Sequence, residues 1–293
     1  MNPLGANAWI WVSPLTDERL ADLAPRVRAW GFDVLELPIE QLDHWDPARA
    51  AEILEAHSLR PTVCVAMGPG RELCATDAGT VASTQAFLKA CIDKAAVLGA
   101  GAIAGPIYAS VGRTWRMSAD ERKAVYADLR ENLGPVAAYG AERGVKVAVE
   151  PLVRYETSVI NTTEQALEAI DGLPPEGCGL LIDTYHANVE EKDFAAAFTL
   201  AGARLAHVHA SANDRGAPGA DHIDWPGFRD ALRTAGYEGP VVIESFTAEN
   251  ETIATAASVW RPLAASQDAI AVDGLAFLRE LLTQRRAAPG APS

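Results

Sequence analysis

Val145-Lys-Val-Ala-Val-Glu150 is a short run of branched apolar residues that closes on a carboxylate, and the same pattern recurs three times downstream. The repeats are Gly179-Leu-Leu-Ile-Asp183, Leu205-Ala-His-Val-His209 and Val241-Val-Ile-Glu244, each about one strand-plus-helix unit after the last. All four end on an atom able to ligate a metal. Four earlier β-rich runs, Ala8 to Val12, Val34 to Leu37, Thr62 to Ala66 and Ala102 to Ile107, are likewise separated by amphipathic helical segments. Strands alternating with helices favour a parallel sheet with crossover helices. Eight such units predict an α/β fold, a single (β/α)8 TIM barrel, with its catalytic groups at the strand ends.

A length of 293 residues suits one such barrel. The expected organisation is a catalytic barrel over residues 1–283 and a frayed C-terminal tail, 284–293. The chain is 49% hydrophobic, yet no apolar stretch approaches the roughly 20 residues of a membrane span, so a soluble protein is expected. Met1 to Trp11 lacks a basic region followed by a long apolar segment, which points to a cytoplasmic protein without a secretory signal. A formal net charge of -14 repels phosphate backbones and anionic lipid, so neither nucleic acid nor membrane is an expected partner. Cys64, Cys74, Cys91 and Cys178 show no C-x-x-C pairing and read as reduced thiols.

Turn signals agree with this phasing. Gly31, Gly101, Gly144 and Gly236 sit where helices should end in left-handed caps before the next strand. Thr162 and Gln165 form a capping-box pattern that leaves Arg154 to Ile160 as a loop beyond the fifth strand. Ala210 to Asp224, with Gly216, Pro218 and Gly219, should be a long loop over the barrel mouth.

Two glutamates, an aspartate and an imidazole suit a divalent ion of intermediate hardness, such as Mn2+, Co2+ or Mg2+, better than a thiolate-rich zinc site. A 2+ charge would offset the repulsion among three converging carboxylates. Any one of these residues alone is more often a helix cap or ion-pair partner; four in successive units are a stronger signal. His207 shares the strand face of His209, but His209 lies nearer the strand end and is the expected ligand, with His207 packed or hydrogen-bonded behind it. His186, just past the sixth strand, is either a substrate contact or an exposed loop histidine. Glu156 and Arg215 follow strands five and seven and are able to bind hydroxyls, although solvated charge is their default. His44, His57 and His222 have no comparable placement. Trp11 at the expected end of the first strand, Trp115 and Phe246 could cover a ligand, with core or rim packing the more ordinary role.

At this point the chain resembles the ketose 3-epimerases, the D-tagatose 3-epimerase and D-allulose (D-psicose) 3-epimerase family within the xylose isomerase-like barrels. The resemblance runs over nearly the whole chain. It is carried by Val149-Glu150-Pro151 with Arg154-Tyr155-Glu156, by Ile182-Asp183-Thr184-Tyr185-His186-Ala187-Asn188 with Glu190-Glu191, and by His207-Val208-His209. Arg215 with Pro218-Gly219, Gly236-Tyr237-Glu238-Gly239, Ile243-Glu244-Ser245-Phe246 and Val259-Trp260-Arg261 complete it. It implies a metal, Mn2+ first among the candidates, held by Glu150, Asp183, His209 and Glu244. It also implies an acid/base pair in Glu150 and Glu244, substrate contacts from Glu156, His186 and Arg215, and a homodimer or homotetramer. Two departures bear on substrate preference more than on chemistry. The loop reads Ala210-Ser-Ala-Asn-Asp-Arg215 where the family reads Gly-Glu-x-Asn-Arg, and Ser245 replaces a usual proline.

The implied reaction is epimerisation of a free ketose at C3, for example D-allulose/D-fructose, D-tagatose/D-sorbose or L-ribulose/L-xylulose. A proton leaves the carbon beside the C2 carbonyl and another arrives on the opposite face, through a cis-enediolate, with two carboxylates exchanging base and acid roles. A ketose-aldose or hydroxypyruvate-type isomerase would use the same ligand quartet. A noncatalytic sugar-binding barrel is the more remote alternative.

Overall fold

In the computed structural model, which describes residues 1–284, eight parallel strands close into a barrel in chain order. They are β1 (Leu4–Asn7), β2 (Val34–Ile39), β3 (Arg60–Val65), β4 (Ala102–Gly105), β5 (Lys146–Val149), β6 (Cys178–Asp183), β7 (Leu205–Ala210) and β8 (Val241–Ile243). Pairing of β1 with β8, Gly5 opposite Val242, removes the sheet edges. The α/β barrel expected from the repeats is therefore the observed fold. The tail expected from residue 284 onwards lies, beyond Gln284, outside the described residues.

Helices α1 (Asp17–Trp30), α2 (Pro47–Ala56), α3 (Ala78–Leu98), α4 (Ala119–Ala141), α5 (Thr163–Ala169), α6 (Thr184–Glu190), α7 (Phe194–Ala201), α8 (Trp225–Thr234), α9 (Glu251–Ala256) and α10 (Gln267–Thr283) connect or follow the strands. Among the described residues, no helix is long and apolar enough to cross a membrane. The apolar spacing at the end of α10 buries Leu278, Leu281 and Leu282 in the core. Thr162 caps α5 by accepting from the Gln165 N–H at 3.2 Å, and Gln165 Oε1 reaches back to the Asn161 N–H at 2.8 Å. The capping box is thus shifted one residue outward on its return bond.

Two boundaries differ from the sequence reading. The first strand is Leu4–Asn7, not Ala8 to Val12, and Ala8–Ile10 forms a 3-10 turn. The aromatic and β-branched residues after Ala8 imitate a strand, but the Asn7 side chain accepts from the Trp9 N–H at 2.9 Å and turns the chain there. Trp11 therefore does not end a strand; it stacks on Trp30 at 5.5 Å on the outer layer of the core. Before β4, the left-handed cap is Gly99 (φ 83°) rather than Gly101. Gly31, Gly144 and Gly236 do adopt positive φ as expected.

Candidate active site

Alternation along each strand decides what the barrel interior contains. Because Glu150 and Glu244 immediately follow β5 and β8, and Asp183 and His209 lie opposite each other in the β6–β7 register, all four side chains point into the C-terminal end of the lumen. One ligand atom from each of Glu150, Asp183, His209 and Glu244 lies within 4.8 Å of the others, and all four residues are buried. The four strand ends picked out by sequence therefore do converge.

Polar satisfaction within this cluster is incomplete in an informative way. Glu150 Oε1 and His209 Nδ1 are buried without a hydrogen-bond partner, a costly state for polar atoms unless another ligand meets them. Three carboxylates and an imidazole with two free donor atoms fit a divalent cation of the kind that oxygen-rich, nitrogen-containing sets bind.

Arg215 is the permanent cation of the site. Its Nη1 lies 2.6 Å from Asp183 Oδ2 and 3.4 Å from Glu244 Oε2, and its plane stacks between Tyr185 and Phe246 at 4.1 and 4.9 Å. The residue holds a left-handed backbone, φ 69°, an uncommon conformation for a non-glycine residue and one that clusters at functional sites. Glu156 Oε1 stands 3.9 Å from Arg215 Nη2, so the two loops after β5 and β7 meet over the cluster.

His186, the third residue of α6, is buried and fixed by its Nδ1 accepting from the Val153 N–H at 3.0 Å. A neutral ring with Nδ1 as acceptor must carry its proton on Nε2. Nε2, so protonated, cannot accept from Arg215 Nη2 at 2.9 Å, and Glu150 Oε1 lies 3.7 Å from it without a hydrogen bond. Burial and the nearby Arg215 and His209 charges hold the His186 pKa well below its ordinary value, consistent with a neutral donor.

The two cluster glutamates titrate in opposite directions. Burial, then the Glu244 charge, pushes Glu150 well above the usual carboxylate range. Glu244 is also penalised by burial, but His209 and Arg215 outweigh that and lower its pKa. Burial pushes Asp183 up to about 6 despite Arg215, and burial also raises Glu156. For His209, burial opposes the charge, yet Glu244 and Glu36 hold its pKa well above the ordinary value.

Two residues behind the quartet, Glu36 and Asn7, escaped the sequence reading. Glu36 on β2, fully buried, places Oε2 2.7 Å from His209 Nε2 and Oε1 2.7 Å from His207 Nε2. The contact to His209 is a well-aligned hydrogen bond, whereas that to His207 is close but off-line, leaving both of its atoms formally unpartnered. His207 thus packs behind the quartet, as its position suggested. Asn7 Nδ2 donates to Glu36 Oε2 at 2.8 Å and lies 3.2 Å from Cys64 Sγ. Asn7 could have been found had the first run been placed on Leu4–Asn7, which it closes. Glu36 sits in mid-strand and carried a different signal, a charge inside an otherwise apolar run.

Above the cluster opens a cavity of about 670 Å³. Its walls are largely apolar, including Trp9, Met67, Phe246 and Ile253, while Glu150, Glu156, His186, Arg215 and Glu244 supply polar groups. Concave, mostly apolar walls with a few convergent polar groups describe a small-molecule site. Trp115 packs against the core and lies 4.7 Å from the Arg113 guanidinium, outside this lining.

Comparison with known proteins agrees with this geometry. The family model for xylose isomerase-like TIM barrels matches residues 24–281. A probable ketose 3-epimerase of Synechocystis sp. is 34% identical over 278 residues, which is 94% of this chain and 95% of that protein. The ketose 3-epimerase of Arthrobacter globiformis is 29% identical over 282 residues, covering 96% of each. Among solved structures, D-allulose 3-epimerase from Methylomonas sp. in complex with D-allulose has a TM-score of 0.88 at 27% identity, covering 95% of this chain and 96% of that one. With matches of this extent, the chain belongs to the xylose isomerase-like TIM barrel family and, within it, to the ketose 3-epimerases, which are carbohydrate isomerases.

Proposed function

We propose that the protein is a metal-dependent ketose 3-epimerase that interconverts free ketoses at C3, with Glu150 and Glu244 as its two proton-transfer groups. The observation that carries this reading is their placement. Two carboxylates, on β5 and β8, converge within 4.8 Å of Asp183 and His209 at the floor of a cavity large enough for a sugar. Epimerisation demands a base on one face of the reacting carbon and an acid on the other.

Glu150, Asp183, His209 and Glu244 would hold the ion, with Mn2+ preferred over Co2+ or Mg2+ for this mixed donor set. When bound, such an ion supplies Lewis-acid stabilisation of negative charge on neighbouring oxygens. The remaining work falls to the chain. Arg215, held by Asp183 and Glu244, offers its free guanidinium edge to substrate oxygens. The preset Nε2–H of His186 donates a second hydrogen bond near Glu150, and Glu156 accepts one from a hydroxyl. Apolar walls around these groups exclude water and strengthen each of them. Glu150 and Glu244 then exchange base and acid roles with the direction of reaction, through a cis-enediolate of the sugar.

D-Allulose is the first substrate to test, since the Methylomonas enzyme is described in complex with it. A cytoplasmic homodimer or homotetramer completes the reading. Tyr155 and Trp260, 80% and 75% exposed, are large apolar side chains that association would cover.

The decisive experiment incubates metal-stripped protein, with and without Mn2+, with free ketoses in D2O and follows products by NMR. Metal-dependent deuterium at C3 together with the C3 epimer is expected. Exchange at C1 or C2 with an aldose product would replace the epimerase by an isomerase, and absence of any exchange would leave a sugar-binding barrel.

A further inference from the structure

We propose that Glu36 is the positioning residue of the metal centre: by taking the Nε2–H of His209 it leaves Nδ1 as the atom offered to the ion, with His207 braced on its second oxygen. The inference rests on the metal-dependent reading above and adds to it a residue outside the ligand quartet.

The contact is a deliberate crossing of the barrel. In the closed strand order, β2 and β7 are separated by β1 and β8, so Glu36 meets His209 only through the lumen. The carboxylate is 0% exposed and has three neighbours: His209 Nε2 at 2.7 Å, His207 Nε2 at 2.7 Å and Asn7 Nδ2 at 2.8 Å. The histidine rings meet edge to face, centroids 5.0 Å apart and planes at 81°. On the far side of His209, Nδ1 lies 3.4 Å from Glu244 Oε2 with no hydrogen bond made. One nitrogen of the ring is tethered and the other is open toward the ligand cluster.

A buried ion pair kept only for stability is the plainer account. It explains poorly why the carboxylate is so placed, because buried pairs are weak stabilisers against apolar replacements. It also leaves unexplained why the same Asn7 amide that holds Glu36 reaches to 3.5 Å from Glu244 Oε1, tying the support to the ligand set. Metal-binding histidines commonly donate their second N–H to a carboxylate, which fixes the tautomer and the ring plane. Glu36 has the chemistry and the geometry for that task.

The test measures equilibrium Mn2+ binding to metal-stripped protein by the EPR signal of free Mn2+, with far-UV circular dichroism to show that each variant is folded. Glu36→Met keeps the side-chain length and removes the acceptor, and its Kd for Mn2+ should rise about 10- to 100-fold. In Glu36→Gln, the amide oxygen facing Asn7 still accepts from His209, so the rise should be smaller. His207→Gln leaves the His209 tether in place and should also fall below the Glu36→Met effect. If Glu36→Met does not fold, Glu36→Gln carries the test. Wild-type binding with unchanged Kd in the folded Glu36 variants overturns the role of Glu36 alone. Failure of the wild-type protein to bind Mn2+ overturns the metal-dependent reading and the inference with it.

Discussion

Glu150 on the β5 wall and Glu244 on the β8 wall carry the same carboxylate in different company. Glu244 is surrounded by His209 Nδ1 and Arg215 Nη1, both at 3.4 Å, with Asn7 Nδ2 at 3.5 Å. Glu150 has His186 Nε2 at 3.7 Å, and its Oε1 makes no hydrogen bond. The opposite directions of their pKa shifts follow from this difference in partners rather than in burial, since burial penalises the charge on both. Pairs of ionisable groups pushed apart in this way are how one site holds an acid and a base together. A bound cation would act on both carboxylates, but the extra partners of Glu244 would remain.

The largest test of this asymmetry is to neutralise each glutamate separately. Glu150→Gln and Glu244→Gln should each lower epimerisation by about 10²–10⁴-fold, the usual worth of general acid–base catalysis. The residual chemistry should differ between them. With Glu244 intact, Glu150→Gln should still exchange the C3 hydrogen of the one epimer whose C3–H faces Glu244. Glu244→Gln should exchange that of the other epimer. Metal retention with undiminished turnover in either variant would sink the two-base scheme, and identical exchange patterns would remove the facial assignment.

Metal binding should also depend on pH with a definite sign. Burial pushes Asp183 up to about 6, and burial with the Glu244 charge holds Glu150 well above the usual carboxylate range. A raised carboxyl pKa stabilises the metal-free fold below the unfolded value and loses that contribution as pH rises through the folded one. His209, also raised, loses its contribution on the same side. His186, lowered, works the other way, its cost falling as pH rises toward the ordinary histidine value, but it is one group against Asp183, Glu150 and His209, so metal-free protein should become less stable from about pH 5 to pH 7. Mn2+ affinity should rise over the same window, because binding releases these protons. Thermal melts with and without Mn2+ at several pH values would show a widening gap; a constant gap would mean that Asp183 and Glu150 are already ionised in the metal-free protein.

How much of this was visible in the chain follows from what each residue is asked to do. The convergence of the quartet was legible because an ionisable residue that closes an apolar strand is delivered to the barrel mouth. The fold was legible because that run recurs with a helix between copies. The support beneath the quartet was not, since Glu36 contacts His209 across the lumen and no local spacing relates residues on β2 and β7. The first strand was misplaced because Trp9, Ile10 and Trp11 favour a strand by type, while one hydrogen bond from the Trp9 N–H to the Asn7 side chain decides the turn. Arg154, Glu190 and Glu191 show a motif resolving into structure. Arg154 pairs with Glu190 at 2.9 Å and Glu191 Oε1 accepts from the Thr163 N–H at 2.7 Å, pinning the loop after β5 to α6 and α5.

A smaller effect is expected from the cation that favours Glu244. Arg215→Lys keeps the charge but loses the planar group whose Nη1 bonds Asp183 and Glu244, whose Nη2 faces Glu156 and which stacks on Tyr185. Loss of hydrogen bonds to charged groups, about 1.5–3 kcal/mol, predicts a rise in KM of about 10- to 100-fold with a smaller change in kcat. An unchanged KM would show that the guanidinium serves the carboxylates and not the substrate.

The smallest expected effect concerns Ser245, the residue that follows Glu244. Its side chain is buried and its Oγ donates to the Gly216 carbonyl at 2.7 Å, so the residue after Glu244 is tied to the residue after Arg215. The Phe246 N–H donates to the Arg215 carbonyl at 3.1 Å, making a second tie between the same segments. In Ser245→Ala the Gly216 carbonyl would keep only its long 3.4 Å bond from the Ala212 N–H. A net loss of about 1 kcal/mol is expected, a fall in Tm of about 2 °C for a chain of this size. Because the tie holds the strained Arg215 backbone, KM should rise modestly while the exchange specificity of Glu150 and Glu244 is kept. Equal loss of stability with no change in KM would assign Ser245 to packing alone. A KM change that is also seen in Arg215→Lys, and does not add to it in the double variant, would place the two on one structural unit. The Glu244 wall would then owe part of its character to the tie that Ser245 makes to the loop carrying Arg215.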